Sequence, residues 1–283
     1  MRLGINPWVW TAPFSTSTTK LFPKIRRMGF DIVEVPIEDP NLIDVGAVAK
    51  AARANGLSIL AIGAFGPDRD LTHDDVKVQE NCLDYIETSL AMAAAWGSPV
   101  LAGPMYSAVG KARHVPPDQK KREWDRAVVN LRKAARMAAN AGVRLAMEVL
   151  NRFETDLVNT ADQAVKMCRD VGDRTLGVHL DTFHMNIEEK GAEQAIRTVG
   201  NRLYHVHASE SDRGVPGTGR ADWTGLAKGL KAVKYDGAVV IESFTPKVTS
   251  IARAASIWRP VAPSQDLLAS DGLKFLKKLL RGL

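Results

Sequence analysis

Four apolar runs in the second half of the chain each end on an ionisable residue. They read Ala146-Met147-Glu148, Val178-His179-Leu180-Asp181, Tyr204-His205-Val206-His207 and Val240-Ile241-Glu242. A carboxylate set into an apolar run is costly to bury unless it is paired or bound to a cation. A lone strand-end glutamate is ordinarily a salt-bridged wall residue, but four ionisable ends in phase point to a shared site. Glu148, Asp181, His207 and Glu242 together make a hard, oxygen-rich donor set. It suits Mn2+ or Mg2+, with Co2+ as a further alternative, better than it suits a structural Zn2+ site built on thiolates. The chemistry within reach is Lewis-acid activation of neighbouring oxygens, with an ionised carboxylate as base. His179 and His205 lie two residues before Asp181 and His207, so they share that face one layer deeper and are expected to pack behind the ligands. His73 and His114 fall in loops and are read as incidental.

These residues need a frame that brings the ends of separate strands to one place. Strands are expected at Arg2–Trp10, Asp31–Pro36, Ser58–Gly63, Val100–Gly103, Arg144–Leu150, Leu176–Asp181, Leu203–Ala208 and Ala238–Ser243. Helices are expected near 17–28, 44–55, 77–95, 117–140, 160–171, 191–200, 223–233 and 266–281. The fourth is the clearest, with Trp124, Ala127, Val128, Leu131, Ala135 and Ala138 at helical spacing. Gly142 stops it, as Gly29 and Gly56 stop earlier ones. Near-continuous apolar runs such as Ala238-Val239-Val240-Ile241 suit a parallel sheet covered by helices. Eight alternating units in 283 residues predict an α/β fold, a single (β/α)8 TIM barrel over residues 1–283, whose strand C-termini converge on one mouth. A doubly wound open sheet would want a Gly-rich phosphate turn after its first strand, and Gly4-Ile5-Asn6-Pro7-Trp8 is not one.

Hydrophobic residues at 45% and charged residues at 25% are ordinary for a globular enzyme and exclude disorder, collagen and a disulfide scaffold. No apolar run is long enough for a membrane span. Met1 to Trp10 does not read as a signal peptide, so Cys82 and Cys168 are expected to be reduced thiols in the cytoplasm. A net charge of +6 raises the question of nucleic acid. The cations cluster at Lys120, Lys121, Arg122, Arg126, Arg132, Lys133 and Arg136, and again at Lys274, Lys277, Lys278 and Arg281. Each stretch also carries an apolar stripe, so these are read as solvated outer helix faces, with no nucleic-acid or membrane partner.

Two long motifs carry a resemblance. Glu148-Val149-Leu150-Asn151-Arg152-Phe153-Glu154 and His179-Leu180-Asp181-Thr182-Phe183-His184-Met185-Asn186-Ile187-Glu188-Glu189 resemble the ketose 3-epimerases. This is the D-tagatose, D-allulose (psicose) and L-ribulose 3-epimerase group of the xylose-isomerase-like barrels. His205-Val206-His207, Glu242-Ser243-Phe244, Arg213 with Gly217-Thr218-Gly219, and Ile257-Trp258-Arg259 continue the likeness. The resemblance implies a divalent metal, usually Mn2+, held by Glu148, Asp181, His207 and Glu242. It implies that Glu148 and Glu242 are the catalytic pair that exchanges the C3 proton of a free ketose through an enediolate. It implies that Glu154, His184 and Arg213 hold the C1–C3 end of the sugar, in a homodimer or homotetramer.

The first half departs further from that group. Trp8, Trp10, Tyr106 and Phe244 are candidates for an apolar wall over the C4–C6 end. Glu34 and Glu38 either face the mouth or form helix-facing ion pairs. Closely related alternatives are hydroxypyruvate isomerase, inosose dehydratase or an aldose–ketose isomerase. An endonuclease IV-like nuclease echoes Asp181-Thr182-Phe183-His184, but it needs a further histidine where this chain reads Arg213-Gly214-Val215-Pro216. A sugar-binding barrel without activity would not require both glutamates.

Overall fold

β-Branched and leucine-rich runs alternate with amphipathic runs, and each pair folds as a strand followed by a covering helix. A computed structural model describes residues 1–282; Leu283, the last residue of the expected barrel, lies outside them. The strands are β1 (Arg2–Ile5), β2 (Ile32–Ile37), β3 (Ser58–Gly63), β4 (Val100–Gly103), β5 (Arg144–Glu148), β6 (Leu176–Asp181), β7 (Leu203–Ala208) and β8 (Ala238–Ile241). The helices are α1 (Phe22–Met28), α2 (Val45–Ala54), α3 (Val76–Trp96), α4 (Pro117–Ala141), α5 (Ala161–Val171), α6 (Thr182–Glu188), α7 (Ala192–Val199), α8 (Trp223–Ala232), α9 (Thr249–Ala254) and α10 (Gln265–Leu279). All eight strands are parallel and in sequence order, and β1 pairs with β8 to close a TIM barrel.

Two apolar layers result. Strand side chains that face outward, such as Val33, Val35, Leu145 and Val239, pack against the helices. Those that face inward, Ile32, Leu60, Ile62, Val100, Ala102, Ala146 and Val240, plug the barrel below the mouth. The plug is tight. A Cβ at Gly177 would lie 2.3 Å from the Tyr204 ring, so only glycine admits that ring. Toward the mouth the inward positions turn ionisable: Ala146 is followed by Glu148 on β5, His179 by Asp181 on β6, and Val240 of β8 by Glu242 just past its end. The barrel is therefore dry at its base and polar at its mouth.

The strand expectations differ from the structure mainly at those C-terminal ends. Strand one was expected to run to Trp10, but β1 stops at Ile5. Asn6 accepts the Trp8 N–H on its side chain, and Pro7, which has no N–H, opens a 3-10 helix over Pro7–Val9. β5 and β8 likewise end short of the expected Leu150 and Ser243. The expected first helix divides into a 3-10 turn at Thr16–Leu21 and α1. Helices α6 and α9 were not anticipated.

Candidate active site

The ladder sets the depth of each inward side chain. Asp181 pairs with His207, which pairs with Val240, and Glu242 lies two residues beyond Val240 on the same face. Glu148 pairs with His179, which pairs with His205. Glu148, Asp181, His207 and Glu242 thus converge, each offering one ligand atom within 4.8 Å of the others. Asp181 and His207 are fully buried, and the two glutamates nearly so.

Asp181 divides its oxygens. Oδ1 accepts the Phe183 N–H at 2.7 Å and caps α6. Oδ2 accepts from Arg213 Nη1 at 2.8 Å and from Ser209 Oγ at 3.0 Å. The same Arg213 nitrogen donates to Glu242 Oε2 at 2.8 Å. Glu148 is less well served. Its nearest imidazole nitrogens, His179 Nδ1 at 3.7 Å and His184 Nε2 at 3.8 Å, are beyond hydrogen-bond reach. Burial pushes its carboxyl well above the usual range, and the neighbouring Glu242 and Asp181 push the same way. Asp181 is held below the usual range despite its burial, chiefly by the Arg213 charge.

His207 tests whether the set fits a cation. Its Nε2 lies 2.8 Å from Glu34 Oε2, which places the proton on that nitrogen. Nδ1 is buried without a hydrogen-bond partner and faces Glu242 Oε1 at 3.4 Å and Asp181 Oδ2 at 3.8 Å. A lone pair aimed at two carboxylates is repulsive unless positive charge lies between them. Burial opposes positive charge on the ring, yet Glu34 and Glu242 outweigh it and hold the imidazole pKa well above its ordinary range, so with no cation in that gap the ring itself takes up the charge as a proton on Nδ1. The residues fit a divalent cation at the centre of the four.

A cavity of about 690 Å3 opens above this group. Glu148, Glu154, His184, Arg213, Glu242, Trp8 and Phe244 all line it. Asn151 orders two of them: its backbone N–H donates to His184 Nδ1 at 3.2 Å, and its side chain donates to Glu154 Oε1 at 2.8 Å. The His184 proton therefore sits on Nε2, on the side of Glu148 Oε1, 3.8 Å away. Trp8 and Phe244 pack together with ring centroids 5.7 Å apart. Glu38 also lines the cavity and accepts the Phe14 N–H at 2.6 Å, while burial raises its pKa.

Tyr106 corrects the sequence reading. It was expected over the sugar, but it is fully buried, donates to Val158 O at 3.1 Å, and is absent from the cavity lining. Its strand is followed by a tight turn that sends the ring into the core. Trp10 also points away, donating to Asp266 Oδ1 at 2.7 Å. Glu34 took the inward alternative: it is fully buried, 2.8 Å from His207 and 2.6 Å from His205. Its position inside the apolar run Ile32-Val33-Glu34-Val35 is the signal that marked Glu148. His179, His205 and His207 also lie within 4.8 Å of one another, but Glu34 already lies against two of them.

Residues 22–279 match the family described as xylose isomerase-like TIM barrel. L-ribulose 3-epimerase of Mesorhizobium japonicum is 33% identical over 279 residues, covering 97% of this chain and 93% of that protein. D-psicose 3-epimerase of Agrobacterium fabrum is 33% identical over 276 residues, covering 96% and 94%. The chain belongs to the ketose 3-epimerases of the xylose isomerase-like barrels. It is an isomerase-class enzyme. The structure of D-allulose 3-epimerase from Methylomonas sp. in complex with D-allulose superposes on it with a TM-score of 0.92 at 29% identity, covering 98% of this chain and 96% of the other. Among the described residues, no helix of this isomerase is long and apolar enough to cross a membrane.

Proposed function

We propose that the enzyme epimerises free ketoses at C3 and depends on a divalent metal, with Mn2+ favoured. The observation that carries this reading is the approach of two buried glutamates, from β5 and from just beyond β8, to one cavity, with Asp181 and His207 offering ligand atoms within 4.8 Å of theirs. Such a cation would be held by Glu148, Asp181, His207 and Glu242, and when bound it would supply Lewis-acid polarisation of the ketose carbonyl.

The chain's own residues do the rest. Arg213 presents a planar fork of donors to the sugar's oxygens, and His184 Nε2–H faces the same space. Glu154, ordered by Asn151, holds the C1 end. Trp8 and Phe244 cover the C4–C6 end. One glutamate removes the C3 proton; the C–H pair forms a C2–C3 double bond and the carbonyl pair moves onto the C2 oxygen, giving an enediolate. The other glutamate delivers a proton to the opposite face of C3. β6 and β7 separate the two carboxylates along the barrel wall, so they can reach a bound sugar from different sides. Glu34 keeps the His207 tautomer in place. The resemblance further supports one catalytic domain acting as a homodimer or homotetramer in the cytoplasm.

Turnover of a ketohexose and ketopentose panel in heavy water tests the reading. The C3 epimer formed should carry deuterium at C3. Glu148→Gln and Glu242→Gln should each stop net epimerisation, while one of them still exchanges the C3 proton of one epimer. A product that keeps its C3 hydrogen, or an aldose labelled at C1 or C2, would overturn it in favour of an aldose–ketose isomerase.

A further inference from the structure

Arg213 is held in an unusual way. Its φ of +61° lies in the left-handed region, which is strained for a side chain of this size. The loop between β7 and α8 must enforce that conformation. Arg213 N donates to Glu210 O at 2.9 Å, and Arg213 O accepts from Ser243 Oγ at 2.6 Å. The guanidinium then lies over the Phe183 ring, 4.0 Å from its centroid.

Glu210 stands in this loop, fully buried, and its hydrogen-bond partners all belong to the loop and the start of α8. Its carboxylate gathers donors that are far apart in the loop. Oε1 accepts from Ser211 N at 2.7 Å and Ala221 N at 3.0 Å. Oε2 accepts from Gly217 N at 2.8 Å and Trp223 Nε1 at 3.0 Å. Burial opposes ionisation, but these N–H groups outweigh it and hold the carboxyl below its usual range. The glycines fit the same purpose. A Cβ at Gly219 would lie 2.6 Å from Glu210 Oε1, and one at Gly217 would lie 2.4 Å from the Phe275 ring. The Gly217-Thr218-Gly219 motif therefore wraps the loop around one carboxylate and seats it against α10.

We infer that Glu210 is a positioning residue for Arg213: its carboxylate folds the β7–α8 loop into the one shape that delivers the guanidinium to Asp181 and Glu242. Glu210 touches neither of those carboxylates and acts only through the loop. The kinetic part of this inference rests on the reading that Arg213 binds the sugar; the structural part does not. Replacing Glu210 by Gln turns an NH2 group toward N–H donors, so about two of the four bonds are lost and the loop relaxes.

Two measurements on the full chain test it. In 15N spectra of the Mn2+-free protein, assigned through Arg213→Lys, the Arg213 Nε–H should be protected from solvent in the wild type. It should shift and lose protection in Glu210→Gln. In a double-mutant cycle on the best ketose with Mn2+, Glu210→Gln should lower kcat/KM about tenfold in the wild-type background and under about twofold in the Arg213→Lys background. Glu189→Gln is the control, since Glu189 also accepts a helix N–H, from Ala161 at 2.7 Å, but lies outside this loop; it should move neither reading. Glu210→Asp carries the same readings if Glu210→Gln does not fold. An unchanged Arg213 resonance, or equal effects in the two backgrounds, overturns the inference. If no ketose is turned over, the proposed function fails, and the resonance alone decides the role of Glu210.

Discussion

Asp181 Oδ1 caps a helix while Oδ2 belongs to the candidate metal group, so the two duties can be separated by substitution. Asp181→Asn keeps a cap oxygen but loses a formal charge, and it should weaken Mn2+ binding at least ~10-fold by calorimetry while the fold persists. Exhaustive chelation should abolish turnover, with Mn2+ restoring it. Full activity in verified metal-free protein would sink the metal assignment. Tyr106 gives the opposite case. Because its hydroxyl serves Val158 O in the core, Tyr106→Phe should cost about 1–3 kcal/mol of stability in denaturant titration and leave kcat/KM within about twofold. A large rise in KM would return Tyr106 to the sugar pocket. Glu148, Asp181, His207 and Glu242 were legible because a charge in an apolar run is anomalous. Tyr106 was misread because an aromatic ring after a strand is ordinary in a core and in a pocket alike.

Among the elements, the strand ends near the mouth were the least legible. Backbone groups there leave the ladder to meet side chains, as Asn6 does at the end of β1, and alternation in the sequence does not record that exchange. α6 escaped notice because seven residues carry too little periodicity, and its start is set by the Asp181 cap rather than by an apolar stripe. The β5–α5 loop offers a test of a non-catalytic connection. Asp156 accepts from Arg113 N at 2.7 Å and Lys120 Nζ at 2.6 Å, tying that loop to the segment before α4 and to α4 itself. Its half-burial opposes ionisation, but Arg113 and Lys120 prevail and lower its pKa. A carboxylate with a depressed folded-state pKa stabilises above its unfolded value, about 4, and that contribution disappears as pH falls through the folded value. Asp156→Asn should therefore cost about 1 kcal/mol at pH 7 by thermal unfolding, a screened figure for a partly exposed network. The gap to wild type should narrow as pH is lowered toward about 3. A pH-independent gap would contradict the ion-pair account.

For the whole molecule, a net +6 remains, but several cations of the basic helix α4 are paired with carboxylates. Lys121 pairs with Asp125 at 2.6 Å, Arg122 with Asp118 at 2.6 Å and Arg126 with Asp74 at 2.5 Å. Binding to duplex DNA, followed by fluorescence anisotropy, should accordingly be weak and fall steeply between about 50 and 200 mM salt. Cleavage of abasic-site DNA that requires Asp181 would instead support the nuclease alternative.

The strand and helix periods, the eight repeated units and the four ionisable strand ends were all local properties, and local properties survive in a sequence. They determined the barrel and the group of residues at its mouth. Tertiary structure decided what depends on closure of the ring. Pairing β1 with β8 and winding the strands in order set Glu34 of β2 against His205 and His207 of β7, although 171 and 173 residues separate them along the chain. Closure also chose which aromatics face the cavity, keeping Trp8 and Phe244 in contact and sending Tyr106 into the core. The β7–α8 loop gained its shape the same way, from a buried carboxylate that collects donors from residues 211 to 223. A sequence records that Glu210 is acidic. Only the folded loop shows that its charge is satisfied by four N–H groups, because each bond depends on where the others have placed the chain.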